Sequence, residues 1–549
     1  MAWRPDRLIP LALGLGILSP VGIGLAGSYV QAADGEGLAR VLAWPGLVPA
    51  LRLSLTTGLA STVLASFLAL LILGALAGTA EFARLRRLIS PLLALPHAAA
   101  ALGLAFLIAP SGWLARALSP WATGWTEPPD LMTLNDPWGL SLTLGLAAKE
   151  TPFLLLMALA AWPQCDAPRR LALAASLGYG RVAGFGLAVL PALARHLRLP
   201  IHAVLAYSLT SVDMALVMGP SLPPPLAVQI LRWAQAPSLQ DQPKAAAAAL
   251  ILLAAVALTI GLVEALGLAL DRLIRRLAAR GHRAPALDGP ARALARIAAL
   301  GMTLGLAAGL AGLVLWSVAG LWPFPDLWPQ SFSLRVWALS ARDLTSTTAT
   351  TVALGLASTL IGLVLALALL EHAPRGDRLL TLAIYLPLLI PQVTLIPGLS
   401  TALIRLGGGR GWPSVALGHL IFVLPYILLS LARPWRAQDP RHAAIAATLG
   451  ASRARIFWRL RLPMLLPALL TAAAIGFAVS VGQYLPTLLL SGGRLTTLTT
   501  EALALASGGN RRLIGAYAVL QMALPALGFL IAMALPRLVF ARRKAMLAP

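Results

Sequence analysis

The sequence predicts an all-α polytopic membrane protein of about twelve transmembrane helices, arranged as two parallel six-helix bundles. Three observations carry that prediction. Of 549 residues, 58% are hydrophobic and only 11% charged, where soluble domains carry about 25% charged residues. Apolar runs long enough to cross a bilayer, roughly 20 residues each, recur along the whole chain. Motifs of the first half also return in the second at matching depth, the mark of an internal repeat.

Taken in order, apolar runs at 8–30, 51–78, 91–110, 138–161, 199–220, 245–270, 297–319, 345–370, 379–404, 413–431, 466–490 and 513–537 read as spans. The first follows Arg4 and Arg7 like a signal peptide, but it is longer than such a core. Cleavage after Val30-Gln31-Ala32-Ala33 would also leave the wrong span parity, so it counts as span 1. Span 2 holds Gly58-Leu-Ala-Ser-Thr62 and span 8 holds Gly355-Leu-Ala-Ser-Thr359, small residues that let helices approach closely. Span 3 opens with Pro91 through Pro96 and span 9 with Pro387 through Pro391, so both bend or begin irregularly. Span 4 carries Lys149-Glu150-Thr151-Pro152-Phe153, which aligns with Leu424-Pro425-Tyr426 of span 10. The segment 271–296, with seven arginines, reads as a cytoplasmic connector between a first half, 1–270, and a second half, 297–549.

The formal charge of +23 suggests nucleic acid only until the basic residues are placed. With both termini cytoplasmic, 30 of the 43 lysines and arginines fall inside, as the positive-inside rule requires. The charge is therefore topological; the partner it implies is the lipid bilayer, and no nucleic acid. Cys165 is the only cysteine, which excludes an intramolecular disulfide and a cysteine metal site.

The most charged interruption of the second half has a partner in the first. In 433–467 an alanine-rich run with Ala444 and Ala446 ends at Leu449-Gly450, continues through Arg453, Arg455, Phe457 and Trp458, and closes on Leu462-Pro463. In 163–198 the same order runs from Ala172 and Ala174 through Leu177-Gly178 and Arg181 to Leu190-Pro191, with 272 residues between equivalent positions. Glycine can end a helix by taking the left-handed conformation, and proline is tolerated in the first turn of the next. Each stretch therefore reads as helix, elbow, helix on the membrane surface.

This spacing resembles the cytoplasmic "EAA" loop of binding-protein-dependent ABC importer permeases, and two copies in one chain resemble the fused permeases of the thiamine and ferric-iron type. The family's glutamate falls at Ala172 and Ala444, so both copies depart from the pattern there. The resemblance implies a type I importer-like fold in the bacterial inner membrane. It further implies two copies of a cytoplasmic ABC ATPase docking on the two loops, and a periplasmic substrate-binding protein that delivers a small solute. It implies that ATP is bound by the partner subunit, with no cofactor on this chain.

The residues agree with that division of labour. The lysines are Lys149, Lys244 and Lys544, and none follows a glycine in a Walker pattern. The chain is expected not to be an enzyme by itself, with no catalytic set and no metal site. Ionisable groups within spans are costly and are functional candidates by default. Glu150 qualifies, as does Asp213, which falls about where the second half has Gln483 and Tyr484, in the span after each elbow. His97 and His419 read as packing donors and Glu264 as a snorkelling acid. The alternative function is a twelve-span secondary transporter, which leaves the paired elbows unexplained; a membrane-embedded enzyme lacks a clustered catalytic set.

Overall fold

A computed structural model describes residues 8–540 except 34, 93–94, 239, 282 and 373–384. Arg4, Arg7, Arg375, Arg378, the C-terminal basic residues from Arg542 onward and the start of expected span 9 lie outside the described residues. The chain folds as helices because apolar stretches in a bilayer must satisfy every backbone N–H and C=O internally.

The first half contains α1 (Leu8–Ala32), α2 (Leu47–Leu76), α3 (His97–Ile108) and α4 (Leu140–Ala161). After these come the short surface helices α5 (Ala167–Ser176) and α6 (Arg181–Gly184), then α7 (Leu190–Thr210), α8 (Asp213–Met218) and α9 (Asp241–Ala279). The second half repeats the order in α10 (Asp288–Val318), α11 (Ala341–His372), α12 (Gln392–Arg405) and α13 (Trp412–Ala437). It continues with α14 (Pro440–Thr448), α15 (Arg453–Ile456), α16 (Leu466–Val481), α17 (Leu485–Ser491), α18 (Leu498–Ala506) and α19 (Arg511–Val539).

Among the described residues ten helices are long and apolar enough to cross a membrane, and eleven if the segment bent by 74° after Met464 counts as one span. The remaining expected span, 379–404, is represented by α12, which is too short because the chain breaks at Pro391. α9 runs on to Ala279 and α10 starts at Asp288, so most of the connector 271–296 is helical.

The halves interlock. α1 packs on α12 and α9, while α10 packs on α3 and α2, so the first helix of each half lies against the other half. Glycines permit both crossings: Gly27 against Gly398, and Gly103 against Gly309. The repeated small-residue motifs serve packing as expected. A Cβ at Gly58 would come within 2.7 Å of Leu209 in α7, and one at Gly355 within 2.7 Å of the Phe477 ring in α16.

The connections sort into two ends. At one, Arg511 donates to Ser111 Oγ at 2.6 Å, Trp113 donates to Leu327 O at 3.0 Å, Arg116 donates to Pro323 O at 2.6 Å, and Arg512 reaches Gly320 O. At the other, Arg296 grips the Glu81 carboxylate with two hydrogen bonds of 2.9 Å, and Arg461 pairs with Glu371. Both elbows lie at this second end, with the turn between α9 and α10.

Candidate functional site: two elbows and a polar seam

Each elbow is set by one glycine. Gly178 has φ +80° and Gly450 has φ +78°, a conformation that side chains resist and glycine accepts. The schemes match: Tyr179 N–H returns to Ala174 O at 3.0 Å, and Ala451 N–H to Ala446 O at 3.0 Å. Beyond each elbow the helix widens into one π-turn, Phe185–Val189 and Phe457–Arg461. The cause is the proline that follows. Pro191 and Pro463 have no N–H for the carbonyl four residues back and their rings crowd it, so those carbonyls, at Leu187 and Arg459, fall inside the widened turns.

The elbows expose their preceding helices. Ala172, Gly178, Ala444 and Gly450 face solvent, Leu190, Pro191, Ala446, Leu462 and Pro463 are half-buried, and α14 has no buried residue. Ala174 is buried because it packs on Gly184, where a Cβ would sit 2.9 Å from its own. The second half has Ile456 at the matching position, and Ala446 stays more open. A cavity of about 410 Å³ lined by Trp162, Leu171, Ala174 and Arg181 lies beneath the first elbow, and one of about 260 Å³ lined by Trp435, Gln438, Leu460 and Arg461 beneath the second.

The second feature is a polar seam within the helices. Lys149 and Glu150 are only 5% and 6% exposed. Glu150 Oε1 lies 2.8 Å from His97 Nε2, and His97 is the first residue of α3, placed there by the break at Pro96. The His97 ring packs on Tyr207 with centroids 4.4 Å apart. Tyr207 donates its hydroxyl to Asp213 Oδ1 at 2.9 Å, and Ser211 Oγ and the Met214 N–H bind the same oxygen at 3.2 and 3.0 Å. Asp213 occupies the first turn of α8 because α7 stops at Thr210 and Ser211 is extended. The Lys149 ammonium makes no hydrogen bond or ion pair among the described residues, yet lies within Coulombic reach of Glu150 and Asp213.

The second half builds the same break with uncharged groups. α16 ends at Val481, and Gln483 and Tyr484 precede α17. Gln392, first residue of α12 after Pro391, donates to Gln483 Oε1 at 3.3 Å. The halves touch here: a Cβ at Gly482 would lie 3.7 Å from Pro96 Cβ, and Tyr484 packs against the core of the first half.

Two comparisons bear on this geometry. Residues 358–546 match the model of the family described as binding-protein-dependent transport system inner membrane component. Over 522 residues, 95% of this chain and 92% of the relative, the sequence is 34% identical to the inner membrane ABC transporter permease protein YnjC of Escherichia coli. This chain belongs to the binding-protein-dependent ABC transporter permeases. Over shorter stretches it is similar to the molybdenum transport system permease protein ModB of Mycobacterium tuberculosis, 32% identical over 30% of this chain and 68% of the relative. It is also similar to the spermidine/putrescine transport system permease protein PotC of Haemophilus influenzae, 27% identical over 30% of this chain and 65% of the relative. As a family, these permeases work with an ABC ATPase and a periplasmic binding protein in the inner membrane.

In this permease, Glu150 and Asp213 are linked through His97 and Tyr207, while Gln483 and Tyr484 occupy the facing break. The register differs by two residues from the sequence pairing. The 272-residue spacing that relates the elbows places Ser211 opposite Gln483 and Asp213 opposite Leu485, and Val212 and Tyr484 share the same backbone turn, with φ −104° and −103°. Sequence reasoning missed His97, Tyr207 and Gln392 as members of the seam. The signal was present for two of them, since His97 and Gln392 each follow the proline that opens the third long segment of a half. His419 is a packing donor as expected, held at 2.7 Å from Ser480 Oγ and 2.9 Å from Thr487 Oγ1. Glu264 pairs with His202 at 3.0 Å at the edge of the bundle.

Proposed function

We propose that the permease forms the pathway for a small solute through the polar seam between its halves, and that two ATPase copies drive it by docking on the two elbows. The observation that carries this reading is the pair of left-handed glycines, Gly178 and Gly450, which present two exposed surface helices at one end of the molecule. The arginine bias assigns that end to the cytoplasm, with both termini. Residues 1–270 and 297–549 then form the two permease halves, Ala172, Ala174, Ala444 and Ala446 face the ATPase, and ATP is bound by that partner rather than by this chain. Because both family glutamates are alanine, docking rests on shape and on the arginines of the loop. Asp213, Glu150, Gln483 and Tyr484 line the route, as intramembrane polar groups at a helix break do in transporters built from repeats.

The two-copy architecture favours a solute of the thiamine or ferric-iron class. The names of the part-length relatives, molybdenum and spermidine/putrescine, span an anion and cations. The deciding experiment reconstitutes the permease with its ATPase and asks which periplasmic binding protein stimulates ATP hydrolysis, then identifies the ligand that protein carries. Failure of every binding protein to stimulate turnover would refute the reading.

A further inference from the structure

The two elbows share a backbone but not a cap. Gly180 and Ser452 precede α6 and α15 with nearly the same angles, φ −60°, ψ 159° and φ −65°, ψ 157°. In the second half Ser452 Oγ accepts the Arg455 N–H at 3.3 Å, an ordinary serine cap. In the first half the equivalent residue is glycine and has no acceptor to offer.

Its role is filled from the junction of the two halves. Asp288, the first residue of α10, accepts the Arg181 N–H on Oδ2 at 2.6 Å and the Val182 N–H on Oδ1 at 2.9 Å. Gly180 N–H donates to Arg283 O at 2.9 Å. A Cβ at Gly180 would meet Pro285 Cα at 2.8 Å and Asp288 Oδ2 at 3.0 Å, so the connector fills the space that a serine there needs. One carboxylate thus serves two helix N-termini, where negative charge is favoured. The side chain of Arg181 then reaches the far end of α2, donating to Gly74 O at 3.0 Å and to Ala77 O. The matching Arg453 is exposed, and its guanidinium makes no hydrogen bond or ion pair among the described residues.

We infer that Asp288 is a positioning residue for the first elbow: the connector caps α6 from outside and fixes its direction against α2, whereas the second elbow caps itself and is held less tightly. Fusion of the halves therefore makes the two ATPase contacts unequal. The inference rests on the reading of the elbows as ATPase docking sites.

The test uses the full-length permease with its ATPase in lipid nanodiscs, in a Cys165→Ser background. Amide exchange is followed over 180–189 and 452–461, and cross-linking to the ATPase from Leu177→Cys and Leu449→Cys, both exposed positions. Asp288→Ala is expected to speed exchange at Arg181 and Val182 by roughly 2- to 30-fold, the range of a lost cap. It should leave 452–461 at the wild-type rate and weaken the Leu177→Cys cross-link while sparing Leu449→Cys. Asp288→Asn, which keeps one acceptor, should fall between, and reads the same effect if the alanine variant does not fold. Unchanged exchange overturns the cap. Faster exchange with both cross-links at wild-type yield overturns the positioning role. Absence of both cross-links with Asp288 intact removes the docking reading itself, a result distinct from either.

Discussion

Gly103 of α3 and Gly309 of α10 meet backbone to backbone: a Cβ on Gly309 would lie 2.7 Å from the carbonyl carbon of Gly103, and one on Gly103 would lie 2.9 Å from that of Gly309. Gly27 and Gly398 repeat the arrangement between α1 and α12, where a Cβ on Gly27 would sit 2.3 Å from Gly398 O. These are the two crossings that interlock the halves. Because the obstacle is backbone rather than a movable side chain, even alanine forces the helices apart. Gly103→Val or Gly398→Val should destabilise the permease by about 1–3 kcal/mol or more through overpacking. Gly301→Val and Gly305→Val, on the same α10 but with nothing within 4 Å, should be tolerated. Thermal unfolding and the yield of monodisperse protein in detergent check the contrast.

The elbow glycines fail in a different way. Nothing lies within 4 Å of a Cβ at Gly450, so a substitution there meets conformational strain alone, about 1–2 kcal/mol for a residue forced left-handed. Asn, which tolerates that region, should keep most ATPase association at position 450, Val should lose much of it, and Pro should abolish it by excluding positive φ. The same order should hold at Gly178. Pull-down of the ATPase and transport in the same preparation measure it, and equal association for Asn and Pro would contradict the argument.

The elbows were legible because their chemistry is local: a glycine needed for φ and a proline needed at a helix start stand at fixed spacing in both halves. The crossings were not, since Gly103 and Gly309 are 206 residues apart and each looks like any small residue in an apolar run. The seam was half legible. Asp213 and Glu150 stood out as charges inside spans, but their linkage through His97 and Tyr207 depends on two helix breaks whose geometry a span list does not contain. Asp288 was hidden for the opposite reason: it sits in a stretch read as a basic connector, and its partners are backbone amides, which carry no sequence signature.

Topology can be tested with single cysteines. Positions 130, 330 and 507 share one end and 285 and 450 the other, and Ser507 is exposed. An impermeant maleimide should label the first three in intact cells and the last two only after the inner membrane is opened. Cys165 should give little background: it is buried, and burial pushes its thiol above the usual range, which suppresses the reactive thiolate. Labelling of position 285 in intact cells would overturn the orientation.

Asp136 makes the end of the bundle that carries it, opposite the elbows, sensitive to acid. Burial raises its carboxyl, but hydrogen bonds from the Ser141 and Leu140 amides and the Ser141 hydroxyl outweigh it and hold the group below the usual carboxylate range. Those bonds, 2.9, 2.8 and 2.8 Å long, satisfy the first turn of α4. A pKa lower in the folded state means that the stabilisation is complete above the unfolded value and is lost as pH falls through the folded one. Stability should therefore decline below about pH 4, and Asp136→Ala should cost about 1 kcal/mol at neutral pH while flattening the acid limb of a melting-temperature profile.

At Asp213 charge and structure can be separated, because the three donors from Tyr207, Ser211 and Met214 all bind Oδ1. Oδ2 accepts no hydrogen bond among the described residues and is not among the sealed atoms left without a partner. An asparagine with its carbonyl in the Oδ1 position keeps every one of those bonds and removes only the negative charge. Asp213→Asn should therefore fold and bind the ATPase as the wild type does, whereas Asp213→Ala leaves the Tyr207 hydroxyl and the Met214 amide without their acceptor, at a cost of about 1–3 kcal/mol where they are buried. If the seam carries the solute, the Asn variant changes the transport rate by tenfold or more at unchanged yield, downward for a cationic solute because Lys149 is then opposed by Glu150 alone, and upward for an anion. Lys149→Met should show the opposite sign. Measuring transport and extracted-complex yield for the three variants decides between a route and a structural tie: normal transport in both Asp213→Asn and Lys149→Met would remove the seam from the pathway.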